Sequence, residues 1–75
     1  MKYEKFIEYV LIGHEIIGFV CSEELKILNL DDDYITVIIN NKRYDYPYDE
    51  IENVKIYNNK TFKEIYNEIK IEEIY

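Results

Sequence analysis

Three kinds of side chain in this 75-residue chain could do chemistry: one histidine, one cysteine and a run of three aspartates. Cys21 and His14 are the residue types of a thiolate–imidazolium pair. They lie seven positions apart across a predicted strand, and this spacing does not secure a contact between them. We expect His14 to favour the negative end of a preceding helix, and Cys21 to be a buried apolar side chain. The sequence therefore predicts no catalytic residues and no enzyme.

The three aspartates, Asp31, Asp32 and Asp33, are the only cluster of metal-like ligands in the sequence. An EF-hand loop needs alternating ligands, a glycine at its bend and a glutamate further on, and none of these accompanies the run. A glycine-rich phosphate loop is also missing. We therefore predict a turn at residues 31–33, with no metal site and no cofactor.

Charge and aromatic content point to a binding role. Sixteen acidic residues against nine basic ones give a formal net charge of −7, and the chain has nine tyrosines and three phenylalanines. Because nucleic-acid affinity depends on Lys and Arg that neutralise phosphates, this charge argues against direct binding of DNA or RNA. Tyrosine combines a large rigid ring with a polar tip, which suits a contact surface. The more natural partner is a protein with a basic surface.

The candidate partner-binding residues surround a predicted hairpin and its exit. The acidic ones could imitate the phosphates of a nucleic acid and block a groove lined by Arg and Lys, although they could instead only keep the chain soluble. In size, charge and helix-plus-hairpin layout the chain resembles small acidic phage proteins such as anti-restriction and anti-CRISPR inhibitors. That resemblance implies an inhibitor that acts as a DNA mimic. The predicted site comprises Asp31, Asp32, Asp33, Asp45, Asp49, Glu50 and Glu52, with Tyr44, Tyr46, Tyr48 and Tyr57.

Length and hydropathy predict one small cytoplasmic domain, residues 1–75. A chain this short cannot divide its apolar residues between two stable cores. No run of about twenty apolar residues could span a membrane, and the first nine residues, with Glu4 and Glu8, do not read as a signal peptide. One cysteine allows no internal disulfide, which fits a reducing compartment.

The N-terminal half reads as a helix followed by strands. Apolar residues recur with helical spacing over residues 2–12, and Gly13 follows as a left-handed cap. Residues 14–22 read as a strand in which Gly18 marks a bulge or a close backbone approach. Residues 25–30 are ambiguous, because they could continue the sheet or form a short helical turn that Ser22 starts.

The hairpin gives the strongest structural argument. Residues 34–39 and 44–48 are rich in β-formers and flank Asn40-Asn41, a pair that tolerates positive φ. A two-residue loop there places Tyr44 opposite Val37, and the more apolar sides of both strands then share one face. Slippage by one residue would invert every side chain. We therefore predict the two-residue loop.

The C-terminal half is predicted to contain a short strand and a second helix. Pro47 marks a sheet edge or a strand end, since it has no amide to donate. Residues 54–57 read as a strand, and Thr61 with Glu64 forms a capping box at the start of a helix. The tail, residues 71–75, either extends that helix or frays. Acidic residues spaced by four would then form a negative ridge on the helix: Glu64, Glu68 and Glu72.

The predicted fold class is α+β. The middle of the chain resembles small SH3-like or Sm-like barrels through residues 15–20 (EIIGFV), 33–39 (DYITVII) and 46–56 (YPYDEIENVKI). That resemblance implies a barrel between the N-terminal and C-terminal helices, and as an alternative function a self-assembling module that binds a peptide or a small metabolite. The competing architecture is an open antiparallel sheet of four or five strands with both helices on one face. Sheet edges and the apolar tail also predict a homodimer or a higher oligomer.

Overall fold

Strands dominate the chain, as its many β-branched and aromatic residues favour. The structure is a computed structural model that describes residues 1–75. It is α+β, with five strands and two short helices. In chain order the elements are α1 (Tyr3–Ile12), β1 (Ile16–Val20), β2 (Glu23–Asp31), β3 (Tyr34–Ile39), β4 (Lys42–Pro47), a 3₁₀ turn (Tyr48–Glu50), α2 (Phe62–Ile65), a second 3₁₀ turn (Tyr66–Glu68) and β5 (Ile69–Ile74).

The five strands form one open antiparallel sheet in the order β4-β3-β2-β1-β5. The expectation of an SH3-like barrel is therefore wrong, because β4 and β5 lie at opposite edges and do not pair. Residues 54–57, the strand that would follow the one-turn helix in a barrel, form only an isolated bridge between Tyr57 and Lys60. Asn58 and Asn59 turn the chain there with positive φ. The edge of β1 is occupied instead by β5.

One face of the sheet carries the hydrophobic core. Fourteen buried apolar residues form a single cluster, to which β1, β2 and β3 contribute alternate side chains. Phe6, Ile7 and Val10 of α1 pack onto this covered face, as do Ile51, Ile56 and the buried residues of α2. The opposite face, which we call the open face, has no helix on it. It carries Ile17, Phe19, Lys26, Leu28, Ile38 and Arg43, as the strand register requires.

The N-terminal helix is present at Tyr3–Ile12 and ends at Gly13, as the spacing predicts. Gly13 has φ 106°, and its amide donates to the carbonyl groups of Tyr9 and Val10. The predicted strand at 14–22 is shorter, since β1 spans Ile16–Val20. The next two residues, Cys21 and Ser22, turn into β2 with positive φ. Ser22 therefore starts a strand and not a helix, which resolves the ambiguity at residues 25–30.

The hairpin register is confirmed. Asn40 and Asn41 have φ values of 50° and 67° and form the two-residue loop between β3 and β4. Tyr44 pairs with Val37, and Tyr46 pairs with Ile35 two residues further along the ladder. Pro47 is the last residue of an edge strand, so both predicted meanings of this proline hold.

The sequence predicted a bulge or a close backbone approach at Gly18; the close approach is present, and the extra residue of the neighbouring bulge is Glu72 of β5. The register between β1 and β5 shifts between Ile17 and Gly18. A Cβ atom built at Gly18 would lie 2.0 Å from the carbonyl oxygen of Lys70. Only a residue without a side chain lets β5 lie this close to β1.

The C-terminal segment differs most from expectation. The capping box is present, because the Thr61 hydroxyl accepts from the Glu64 amide and the Glu64 carboxylate accepts from the Thr61 amide. The helix nevertheless ends at Ile65, and the chain continues through the 3₁₀ turn into β5. Residues 71–75 therefore neither extend a helix nor fray. The predicted ridge of Glu64, Glu68 and Glu72 does not form, since Glu72 lies in a strand. The isoleucines at 69, 71 and 74 favour a strand, and the edge of β1 supplies backbone partners that a lone helix lacks.

Candidate protein-binding site

The acidic residues of two turns meet at one end of the sheet. Tyr34 pairs with Pro47 at the end of the β3–β4 ladder, and the Tyr48 amide donates to the Asp33 carbonyl oxygen at 2.9 Å. This bond joins the β2–β3 turn to the 3₁₀ turn that follows β4. Five carboxylate residues lie in these two turns or, for Asp31, at the adjoining end of β2. We call them the acidic end: Asp31, Asp32, Asp33, Asp49 and Glu50.

The C-terminus of α1 reaches the same end of the molecule. The Tyr48 hydroxyl donates to the Leu11 carbonyl oxygen at 2.7 Å, which ties the 3₁₀ turn to the last turn of the helix. The carbonyl end of a helix carries a partial negative charge. The helix therefore adds to the negative potential of the five carboxylates, and its contact with Tyr48 fixes the 3₁₀ turn in place.

No residue of the acidic end forms an ion pair. All five residues are exposed. The four ion pairs of the chain lie elsewhere: Lys5–Glu8, Arg43–Asp45, Lys55–Glu64 and Lys70–Glu72. The only side-chain hydrogen bond within the group is local, from the Asp33 amide to Asp31 Oδ1 at 2.7 Å, and it shapes the turn. The acidic end is therefore a concentrated negative surface that is open to a partner.

Asp45 differs from the five residues of the acidic end because its carboxylate is engaged, although it lines one groove with Asp31 and Arg43. It lies on the open face, where Thr36 Oγ1 donates to its Oδ1 at 2.6 Å and Arg43 Nε lies 3.2 Å from each of its carboxylate oxygens. Thr36 is only 2% exposed, so Asp45 satisfies a hydroxyl that water cannot reach. The hydrogen bond from Thr36, followed by the contact with Arg43, lowers the pKa of Asp45. Sequence reasoning missed this Thr36–Asp45–Arg43 group, although the confirmed register places all three side chains on one face.

Replacing Asp45 with asparagine should remove a pH-dependent part of the stability. Because the folded state lowers the pKa of Asp45, the contribution of this residue is present above the ordinary pKa of 3.8 and is lost as the pH falls through the lower folded pKa. Urea unfolding of both proteins should differ most at neutral pH and hardly at all near pH ~2. An equal difference at both pH values would show that the charge of Asp45 plays no part.

Glu52 is also separate from the acidic end, because it is engaged with α1. Its Oε1 accepts a hydrogen bond from the Tyr3 hydroxyl at 3.1 Å. Burial of Tyr3, together with this hydrogen bond and the charge of Glu52, raises the pKa of Tyr3 to about 12. Glu52 thus ties the loop after the 3₁₀ turn to the helix.

The predicted tyrosines do not form one surface with the acids. The rings of Tyr44 and Tyr46 stack on β4 with centroids 6.3 Å apart. Tyr44 and Tyr57 line a groove with Lys42 and Asn40, toward the Asn40-Asn41 end of the hairpin and away from the acidic end. The Glu23 carboxylate, as hydrogen-bond acceptor, raises the pKa of Tyr57 to about 12. Tyr48 has the structural role described above.

His14 and Cys21 are not brought together. They flank β1 at its two ends, a separation of roughly 20 Å along an extended chain. His14 Nδ1 lies 2.6 Å from the Tyr75 carbonyl oxygen, so this nitrogen carries the proton and holds the end of β5. Cys21 is exposed in the β1–β2 turn, and the expectation that it is buried is wrong. It occupies a tight turn with φ 48°, which points its side chain away from the core.

No group of three or more His, Cys, Asp or Glu side chains is arranged to hold a metal ion. No helix is long and apolar enough to cross a membrane. Searches of protein-family models, of characterised proteins and of solved structures find no match to this chain.

Proposed function

We propose that this protein is a non-enzymatic protein-interaction module that uses its acidic end to bind a basic surface of another protein. In the most specific version of this proposal, the protein is an inhibitor that occupies the nucleic-acid-binding groove of its partner in the cytoplasm. The observation that carries the proposal is the meeting of five exposed carboxylates, none of which forms an ion pair, on two turns that are hydrogen-bonded to each other.

The fixed geometry of the acidic end supports binding as well as solubility. Charges that only solubilise a protein can lie anywhere on its surface, and they need no defined spacing. Here the bond between Tyr48 and Asp33 and the bond between Tyr48 and Leu11 hold both turns against the sheet and the helix. A preorganised set of charges loses little conformational entropy when a partner binds. It can therefore match a fixed row of Arg and Lys side chains.

Because surface charges act over a limited distance, the association rate and its salt dependence are the quantities that test the proposal. Surface charges act mainly on the association rate, and salt screens them over roughly 8–10 Å at physiological ionic strength. The acidic end should therefore draw a basic partner in from solution. Its effect should weaken steeply as the salt concentration rises.

A pair of charge-matched variants tests the proposal. In the acidic-end variant Asp31, Asp32 and Asp33 are all changed to asparagine, which keeps the turn-forming side chain. The control variant loses the same charge at exposed carboxylates far from the acidic end: Glu4→Gln, Glu24→Gln and Glu68→Gln.

Both variants and the native chain would be used to capture partners from a lysate of the native host. Association with the purified partner would then be timed over a series of salt concentrations. We expect the acidic-end variant to associate about tenfold more slowly, with a flatter salt dependence, and the control variant to behave like the native chain.

Two results would overturn the proposal. One is equal slowing by both variants, which would make net charge alone responsible. The other is unchanged binding by the acidic-end variant, and by charge reversal at Asp49, Glu50 and Glu52, while Tyr44→Ala and Tyr57→Ala abolish binding. The interaction would then belong to the tyrosine groove.

A further inference from the structure

The sheet has two outer edges, and they differ in their capacity to accept another strand. At the β4 edge, the bond from the Tyr48 amide to the Asp33 carbonyl fixes the alternation of the ladder. Tyr34 and Pro47, one step inward, are therefore a pair without mutual hydrogen bonds, and the nitrogen of Pro47 points outward. Because proline has no amide hydrogen, this edge lacks a donor where an added strand would need one.

The β5 edge has no proline, and its backbone alternation can be read in the same way. The Cys21 amide donates to the Glu68 carbonyl, and the Tyr75 amide donates to the Glu15 carbonyl. By the antiparallel rule, Lys70 and Glu73 then direct their backbone groups toward β1. Among the residues of β5 that pair with β1, those whose backbone groups face outward are the three isoleucines Ile69, Ile71 and Ile74, and Glu72 is the extra residue at the register shift.

One of these outward groups is already used within the chain. The Ile69 amide donates to the Tyr66 carbonyl at the end of the 3₁₀ turn, so Ile69 offers only its carbonyl oxygen. Ile74 offers both its amide and its carbonyl oxygen. An added strand that brings an Ile74 amide to the Ile69 carbonyl would therefore satisfy both groups.

We propose that a second copy of this chain pairs with the first along β5, antiparallel and about a two-fold axis. In this register Ile69 of each copy lies opposite Ile74 of the other, and the Ile74 amide donates to the Ile69 carbonyl twice, once on each side of the axis. The two five-stranded sheets become one continuous sheet. The proposal concerns β5 alone and does not depend on the acidic end.

The side chains of β5 are self-complementary in that register. Lys70 lies opposite Glu73 of the second copy, and Glu73 lies opposite its Lys70. Lys70, which lies 3.9 Å from Glu72 of its own chain, then has a second carboxylate to pair with, so two ion pairs form across the axis. Lys70 pairs with Phe19 and Glu73 pairs with Ile17 in the ladder to β1, so both charged side chains lie on the open face. The shift at Gly18 is what puts them there together, because three positions along a regular strand would separate them onto opposite faces.

The covered side of β5 also suits a second copy. A groove beside the strand is lined by Met1, Tyr66, Ile69 and Ile71. Ile69, Ile71 and Ile74 are each only partly buried against the core. In the proposed register Ile69 of each copy meets Ile74 of the other on this side, while Ile71 lies opposite Glu72 near the axis. Apolar contacts then form on the covered face of the joined sheets, and the ion pairs form on the open face.

The expected affinity is modest. A strand of six residues is about 20 Å long. The area buried when it pairs with a second copy is roughly 1,000 Å², the smallest area typical of a specific interface. The dimer should therefore form with a dissociation constant on the order of 10–100 μM. Sedimentation measured over a range of protein concentrations should show a reversible monomer–dimer equilibrium.

Charge exchange tests the register. Lys70→Glu or Glu73→Lys alone puts like charges opposite each other, and each should weaken dimerisation at least about tenfold. The combined variant, Lys70→Glu with Glu73→Lys, restores opposite charges and should dimerise to within about threefold of the native chain. Lys26→Glu changes an exposed open-face residue of β2, away from the edge, and should leave dimerisation unchanged.

Amide hydrogen exchange gives an independent reading. On going from dilute to concentrated protein, the Ile74 amide should become more protected, whereas the Glu73 amide, already bonded to β1, should not change. A monomer at all concentrations would overturn the proposal. So would a dimer that ignores both single charge reversals, or one whose combined variant fails to recover. Loss of the dimer on Phe19→Ser, with both single reversals silent, would assign the contact to the open face.

Discussion

Replacement of Phe6 by alanine should lower the free energy of unfolding by about 3–5 kcal/mol. Phe6 is fully buried, and its ring centroid lies 5.4 Å from that of Phe62 and 5.1 Å from that of Tyr66. Truncation leaves a cavity where α1, α2 and the second 3₁₀ turn meet. The free energy of unfolding of a domain this small is about 5–10 kcal/mol, so the variant should be largely unfolded at moderate urea concentrations.

Phe19→Ala is the matched control, since it removes the same side chain from the open face. Phe19 is 36% exposed, so its truncation leaves no closed cavity and should cost much less. Urea unfolding followed by circular dichroism measures both values. Equal losses in the two variants would mean that α1 does not belong to the core.

Replacement of Gly18 by alanine should cost about 3 kcal/mol, the upper end of the range for overpacking. The added Cβ would lie 2.0 Å from a backbone carbonyl oxygen, and a backbone atom cannot move aside as a flexible side chain can. We expect β5 to detach from β1. Hydrogen exchange should then show loss of protection at Lys70 and Glu73, with the β2–β3 ladder retained.

Gly13→Ala is the control for the second prediction. It adds the same methyl group at a position with φ 106°. Apart from the two adjacent residues, the nearest atom is Asn29 Nδ2, 3.5 Å away. The expected cost is about 1–2 kcal/mol from the left-handed backbone alone, without detachment of β5. A larger loss from Gly13→Ala than from Gly18→Ala would contradict the role assigned to the close approach.

The elements that could be predicted from the sequence are those that local residues determine. Asn40 and Asn41 tolerate positive φ, and the alternation of the flanking strands leaves one register that buries Ile35 and Val37. Gly13 ends α1 for a similar reason, because it is adjacent to the turn that needs it. In each case the sequence signal and its structural effect lie within a few residues of each other.

The C-terminal strand could not be predicted in that way. Helical spacing at Phe62, Ile65 and Ile69 favours a helix, and the capping box starts one. What ends it is the unpaired edge of β1, which lies about fifty residues away in the sequence. A local pattern carries no information about a vacant edge so far along the chain. The same limitation led to the incorrect barrel.

For the candidate site, the sequence identified residue types but not their grouping. Asp31 to Asp33 and Asp49 with Glu50 come together because Tyr48 bonds to Asp33, a contact that follows from the confirmed register. Asp45 lines a groove together with Asp31, but its carboxylate is engaged by Thr36 and Arg43. Glu52 is separated by its bond to Tyr3, which no local pattern reveals.

The position of β5 has a consequence for how the chain folds. Strands β1 to β4 are joined by short turns, so their ladders close small loops and can form early. β5 must close a loop of about fifty residues, and it is synthesised after the four strands whose sheet it completes. Until then the edge of β1, with Ile16, Ile17 and Phe19, is unpaired. The newly made chain therefore passes through a stage at which aggregation competes with folding, and completion of β5 ends that stage.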